Sequence, residues 1–251
     1  MDSAAIAQRF ERDGYVAPLS VFTADQVSRY REVYDRIEAD LVARNITARP
    51  TQQHLIYEPL WELVNHPRVL GLAQAAVGPD LILLATGFFS KPPDGSGKYI
   101  AWHQDTTYWG LEPAYAVTLW IAIDDSDVEN GCMRVIPGTH HSILPHGKAR
   151  ATGNMLGLDQ EVDPDAIDES RAVDLVLKAG QASLHHGMVV HGSNPNRSTR
   201  RRCGMTLRFT RPEVKPVPGV FRDKPILMTG HDRFGHFQYE PRPAFARPGS
   251  P

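Results

Sequence analysis

The chain has 251 residues, of which 41% are hydrophobic and 22% charged, and a formal net charge of −2 at pH 7. This fits one soluble globular domain, and the near balance of charge gives no electrostatic case for nucleic acid. No apolar run approaches the roughly 20 residues of a membrane span, and Met1-Asp2-Ser3-Ala4-Ala5 lacks the basic and hydrophobic regions of a signal peptide, so a cytoplasmic location is expected. Cys132 and Cys203 have no metal-type spacing and read as buried, reduced thiols.

Residues 1–80 read mainly as helical support. Thr23-Ala24-Asp25-Gln26 has the form of a capping box, and Val27, Tyr30, Val33, Ile37 and Leu41 recur behind it at helical spacing, an apolar stripe suited to covering a sheet. Leu60 to Ala76 is interrupted by Pro67 and closed by Gly78, which predicts two short helices joined at His66.

Beyond Gly78 the pattern changes to short β-rich runs between turn residues: Leu81–Phe89, Ile100–Gln104, Val117–Ile123, Met133–Ile136, Ala182–His185, Met188–His191 and Cys203–Thr210. Residues 81–211 are therefore expected to form a barrel or sandwich. The stretch from His140 to Gly180 lacks clear periodicity and is rich in His, Gly and Asp, so it is expected to be a loop that closes over the barrel mouth. Residues 212–251 carry many prolines and read as an irregular segment, frayed from Phe245 onward.

Chemistry concentrates in His103-Gln104-Asp105. On a strand, H-x-D points both side chains to one face. His191 follows the apolar Val189-Val190 and can add a third ligand from across a barrel. Two imidazoles and one carboxylate leave the remaining positions of a metal open, the arrangement of non-haem Fe(II) oxygenases. Arg202 stands eleven residues after His191, where it can pair with the distal carboxylate of a chelated 2-oxo acid. A structural salt bridge would suit His103 and Asp105 equally well on their own; the matching His191 and Arg202 favour ligation. Alternation puts Arg200 and Arg202 on one strand face and Arg201 on the other. His140, His141 and His146 read as loop hydrogen-bonders, and adjacent His185 and His186 cannot chelate one ion from a regular strand.

The chain resembles the phytanoyl-CoA dioxygenase family of Fe(II)- and 2-oxoglutarate-dependent oxygenases. The resemblance rests on Phe88-Phe89-Ser90-Lys91-Pro92-Pro93, Trp102-His103-Gln104-Asp105, Trp120-Ile121-Ala122, the run from Glu129 to His140 that ends Ile136-Pro137-Gly138-Thr139-His140, and His191-Gly192-Ser193 followed by Arg202. It implies a single oxygenase domain with a double-stranded β-helix (jelly-roll, cupin-like) core, mainly β with flanking helices. It further implies His103, Asp105 and His191 as iron ligands, Arg202 as the 2-oxoglutarate anchor, and Trp120 and Gln104 as lining of the co-substrate pocket. Some relatives carry a polar co-substrate contact, often lysine, near Gln52 and His54, and this chain departs from that pattern. Halogenating members have Gly or Ala in place of the aspartate, whereas this chain keeps Asp105.

The implied activity is hydroxylation, or a related oxidation, of a C–H bond in a small molecule, with O2 consumed and succinate and CO2 released. Thr107, Tyr108 and Trp109 are candidate substrate contacts. A CoA thioester would favour a basic entrance, but Lys148, Arg150, Arg171 and Lys178 are dispersed among acids, which favours a compact metabolite acted on by a monomer or homodimer. The alternatives are a metal-dependent hydrolase or isomerase on a cupin-like barrel, which leaves Arg202 without a partner, and a non-catalytic binding protein, which has no use for all three ligands.

Overall fold

The computed structural model describes residues 2–93, 95–147, 153–156 and 160–246. Four α-helices are α1 (Ser3–Asp13), α2 (Ala24–Ala43), α3 (Glu58–Val64) and α4 (Pro67–Val77). Thr23 caps α2 in a reciprocal box: its hydroxyl accepts from the Gln26 N–H, and Gln26 Oε1 accepts from the Thr23 N–H. His66 caps α4 through its imidazole, with Pro67 at the first helical position, so the predicted break falls where proline's missing donor costs least.

In chain order the strands are β1 (Tyr15–Ser20), β2 (Leu81–Lys91), β3 (Ile100–His103), β4 (Leu111–Glu112), β5 (Val117–Ala122), β6 (Met133–Ile136), β7 (His146–Gly147), β8 (Glu161–Val162), β9 (Val173–Leu175), β10 (Gln181–His186), β11 (Val190–Ser193), β12 (Arg202–Thr210), β13 (Lys215–Pro216) and β14 (Ile226–Thr229). Besides the two-stranded pairs of β4 with β13 and β7 with β8, two main antiparallel sheets result among the described residues, a major one in the order β1-β10-β5-β12-β2-β14 and a minor one in the order β3-β11-β6-β9. A cavity lies between them, lined from the major sheet by Phe89, Thr118, Trp120, His185, Arg202 and Arg208 and from the minor sheet by Ile100, His103, Met133 and His191. This is the expected double-stranded β-helix.

The major sheet has two chemically distinct faces. Along β12, Cys203, Met205, Leu207 and Phe209 join the helix-covered core, where they meet Val117, Leu119, Ile121, Ala182 and Leu184 and side chains such as Phe10, Val33, Leu63 and Leu72. The intervening Arg202, Thr206 and Arg208 line the cavity instead. Period-two alternation over nine residues therefore separates core from site within one strand.

Three expectations need correction. β1 and β14 lie in stretches read as helical support and irregular tail, yet they form the two edges of the major sheet. Pro18 inside β1 and the four-residue length of β14 hid their periodicity. The stretch from His140 to Gly180 is not loop throughout, since β7 pairs with β8 and β9 closes the edge of the minor sheet; strands of two or three residues are too short for alternation to register. The lid expectation, like Lys148 and Arg150, falls partly on residues 148–152 and 157–159, outside the described residues, although Leu156 and Gln160 do line the cavity. Ala244–Ala246 form a final 3-10 turn, and residues 247–251 of the segment expected to fray lie outside the described residues. No helix of the described residues is long and apolar enough to cross a membrane.

Buried histidines make this fold acid-sensitive. His54 is 1% exposed, with Nδ1 2.9 Å from Thr86 Oγ1 and its ring stacked on Trp61. Burial pushes it down to about 4, and burial followed by His140 does the same to His186. The unfolded chain takes up these protons near 6.5 while the folded protein resists until about 4, so their stabilisation is present above pH 6.5 and is lost as pH falls through that window. Urea unfolding from pH 7 to pH 4 should show falling stability, with a shallower fall in His54→Leu; a flat wild-type profile would contradict these burial assignments.

Candidate active site

The antiparallel pairing of β3 with β11 sets His103 directly opposite His191, with ring centroids 4.0 Å apart. Each ring is pinned from behind. His103 Nδ1 lies 2.9 Å from the Ala101 carbonyl and His191 Nδ1 lies 3.0 Å from the Val189 carbonyl. A carbonyl only accepts, so both Nδ1 atoms carry the proton and both Nε2 lone pairs face the cavity. Asp105 completes the group, with Oδ1 3.4 Å from His103 Nε2 and Oδ2 3.9 Å from His191 Nε2. The three candidate ligand atoms lie within 4.8 Å of one another, and all three residues are buried.

Electrostatics keep this set ready for a cation. Burial pushes the Asp105 carboxyl up, but the neighbouring His103, His191 and Arg208 outweigh it and hold it well below the usual carboxylate range. Burial, then His103, pushes His191 far below the ordinary imidazole value, so it is a neutral donor at neutral pH. Two imidazole nitrogens and one carboxylate oxygen fit a divalent first-row metal with positions left open, matching the ferrous facial triad. Such an ion relieves the burial of an unneutralised carboxylate.

Local geometry differs from the sequence reading in two respects. The strand ends at His103, and Asp105 opens a 3-10 turn; Gln104 remains extended at φ −121° and ψ 116°, so the alternation still brings Asp105 to the side of His103. His191 does not reach across the barrel, because β11 is the hydrogen-bonded neighbour of β3.

Trp120, Tyr108 and Trp109 line the cavity, but Gln104 and Thr107 do not. Gln104 points away, as the middle residue of an extended H-x-D must. Its Nε2 donates to the Ser142 and Met188 carbonyls at 2.9 and 2.6 Å, and its Oε1 accepts from the Leu144 N–H at 2.8 Å, tying the loops behind the site together. Thr107 Oγ1 donates to the Gln104 carbonyl at 2.7 Å and closes the turn that presents Asp105. Gln52 and His54 are also absent from the lining; both bond to Thr86. A cation near that part of the chain is supplied by Arg49, which sequence reading missed. Also missed were Arg208, Ser193, Phe89 and His185, the last buried with its ring centroid 4.8 Å from that of His191.

Arg202 is 3% exposed. Nε and Nη2 donate to the Gly131 carbonyl at 3.1 and 2.9 Å, and Nη2 reaches Ser193 Oγ at 3.4 Å. Gly131 holds that carbonyl in place at φ +77°, with no room for a Cβ beside the Asn194 carbonyl. The guanidinium lies 5.5 Å from the Trp120 ring centroid. That indole spreads over Gly204, where any side chain would run into it. Burial lowers Arg202 only to about 10, so it stays charged. Burial, then Arg202, pushes neighbouring Lys91 down to about 6, and its Nζ bonds to Ser193 Oγ at 2.6 Å. A buried guanidinium without a carboxylate partner among the described residues is an anion site. Unpartnered Thr118 Oγ1 and His185 Nδ1 also line the cavity.

The family model for phytanoyl-CoA dioxygenase (PhyH) matches residues 10–204. The chain belongs to the phytanoyl-CoA dioxygenase family. Among solved structures it is similar to the non-heme monooxygenase ThoJ in its apo form, at 33% identity and a TM-score of 0.77 over 95% of this chain and 88% of that one. The epimerase SnoN, solved with Fe3+, alpha ketoglutarate and nogalamycin RO, is 25% identical with a TM-score of 0.72, covering 96% of this chain and 97% of that one. A probable alpha-ketoglutarate-dependent hypophosphite dioxygenase from Stutzerimonas stutzeri is 25% identical over 82% of this chain and 78% of its own length.

Removing the carboxylate should remove the metal. Asp105→Ala is expected to lose Fe(II) binding by at least an order of magnitude in anaerobic titration while keeping its fold, since only a ligand is lost. Unchanged affinity at limiting iron would show that the triad is misassigned.

Proposed function

We propose that this chain is a Fe(II)- and 2-oxoglutarate-dependent dioxygenase that oxidises a C–H bond of a small organic molecule and releases succinate and CO2. The observation that carries the reading is the pairing, in one cavity, of a two-histidine, one-carboxylate group with a buried, charged arginine that has no acid of its own. When bound, the ferrous ion and 2-oxoglutarate together supply the activated oxygen that attacks the C–H bond.

The chain's residues position and exclude. His103, Asp105 and His191 would hold the ion on one side, and the pinned histidine rings leave little freedom for their donor atoms. Ser193 and Arg202 would take the distal carboxylate. Ser193 lies two residues beyond His191 on β11, about 7 Å along the strand, the reach of a five-carbon diacid chelated at the metal. Trp120, whose ring centroid lies 5.5 Å from the Arg202 guanidinium, would shield that carboxylate from water. Tyr108 and Trp109 face the remaining space, in a cavity of about 250 Å³ suited to a compact substrate. Asp105 occupies the ligand position that halogenating relatives leave open, which favours hydroxylation-type chemistry. The net charge of −2 favours a small-molecule substrate over nucleic acid, and the enzyme works in the cytoplasm as a monomer or homodimer.

A hydrolase or isomerase on the same ligands has no role for Arg202. Oxygen uptake with stoichiometric succinate from 2-oxoglutarate, dependent on Fe(II), is the expected result; substrate turnover without either would overturn the proposal. Arg202→Ala should raise the KM for 2-oxoglutarate about 30-fold or more with Fe(II) binding nearly intact. Arg201, which pairs with Asp124, Asp35 and Glu38 on the helical side, should affect stability and leave that KM unchanged when replaced by Ala. The reverse ranking would mean that the register is shifted by one residue.

A further inference from the structure

The cavity holds more positive charge than a single co-substrate uses. Besides Arg202 it is lined by Arg49 and Arg208. Arg208 and Arg202 share one face of β12 six residues apart, about 20 Å along the backbone, and their guanidinium groups face different rings, Trp109 and Phe89 for Arg208 and Trp120 for Arg202. Arg208, Asp105 and Tyr108 line the same cavity.

Rings, not acids, hold these two cations. The Arg208 guanidinium lies 4.8 Å from the Trp109 ring centroid and 5.9 Å from that of Phe89, and Arg49 lies 4.3 Å from Phe89. Neither arginine has a hydrogen bond or an ion pair among the described residues, and Arg208 Nε is buried without a partner. Arg201, on the same strand's approach, by contrast has three carboxylates. Asp105 is committed to the metal site, and Asp223, which lines a second recess with Arg208 and Trp109, makes no ion pair with Arg208. Aromatic faces fix a guanidinium plane and leave its N–H edge free, the geometry that receives a planar or tetrahedral oxyanion.

We propose that Arg208, assisted by Arg49 at the exposed mouth, binds an oxyanion carried by the substrate, so that the enzyme acts on a small carboxylate or phosphate-bearing molecule whose oxidised carbon lies between this group and the metal. The proposal builds on the oxygenase reading and gives that site its substrate class. Phe89 and Trp109 then serve as the walls that hold both the guanidinium groups and the apolar part of the substrate.

The test is calorimetric titration of the anaerobic Fe(II)–2-oxoglutarate enzyme with phenylacetate, phenyl phosphate and the neutral phenylacetamide. Both oxyanions should bind at least about tenfold more tightly than the amide, and the tighter of the two identifies the substrate's anionic group. Arg208→Gln should remove that preference with 2-oxoglutarate affinity unchanged. Arg208→Lys should retain part of it, more for phosphate than for carboxylate, because a lysine lacks the bidentate fork. An amide that binds as well as the oxyanions, a preference that survives Arg208→Gln, or an equal loss of 2-oxoglutarate affinity in that variant would overturn the proposal. If the wild-type Fe(II) enzyme does not bind 2-oxoglutarate at all, the oxygenase reading fails. The same titrations on metal-free protein, with Arg202→Gln beside Arg208→Gln, then decide the anion site on their own.

Discussion

One register decides this structure. The antiparallel pairing of β11 with β3 places His191 opposite His103, and every other feature of the site is arranged around that pair. A slip of β11 by one residue would turn the His191 ring to the far side of the minor sheet and leave His103 and Asp105 without a third ligand. The carbonyls of Ala101 and Val189, each two residues upstream of its histidine, fix the tautomer and the ring plane by the same device on both strands. Backbone geometry thus presents two donor atoms without recruiting any further side chain.

The major sheet solves a different problem, that of placing charge inside a barrel. Its outer face is sealed by helices through a continuous apolar core, and its inner face carries arginine, threonine, tryptophan and histidine at alternate positions. Three guanidinium groups around one buried carboxylate are costly in an empty cavity and favourable once a metal and anions enter. The cavity is in this sense built for the charge of what it binds. Lys91, beside Arg202, has its pKa pushed down by burial and by that arginine.

Much of this was legible beforehand, for physical reasons that differ by element. The capped helix after Thr23 and the break at Pro67 follow from local chemistry acting within a few residues. The ligand triad was readable because a metal needs specific atoms at specific spacings. The outward turn of Gln104 is legible in strand alternation, which sends the middle residue of an extended H-x-D away from its two neighbours. Arg208 was equally available, since Arg202, Gly204, Thr206 and Arg208 alternate with Cys203, Met205, Leu207 and Phe209, a two-faced pattern that marks a cavity-lining strand. Arg49 was not, because it lies outside helix and strand and only the tertiary fold brings it over Phe89. The edge strands β1 and β14 escaped for a similar reason, being defined by their partners more than by their own residues.

The most direct test is a crystal structure of the protein grown anaerobically with Mn(II), as a redox-quiet substitute for Fe(II), and 2-oxoglutarate. The account predicts one metal bound by His103 Nε2, His191 Nε2 and an Asp105 oxygen, chelated by 2-oxoglutarate, with the distal carboxylate on Arg202 and Ser193 and the face toward Arg208 left for substrate. A metal held elsewhere, for instance among His140, His141 and His186, or a 2-oxoglutarate carboxylate seated on Arg208, would contradict it.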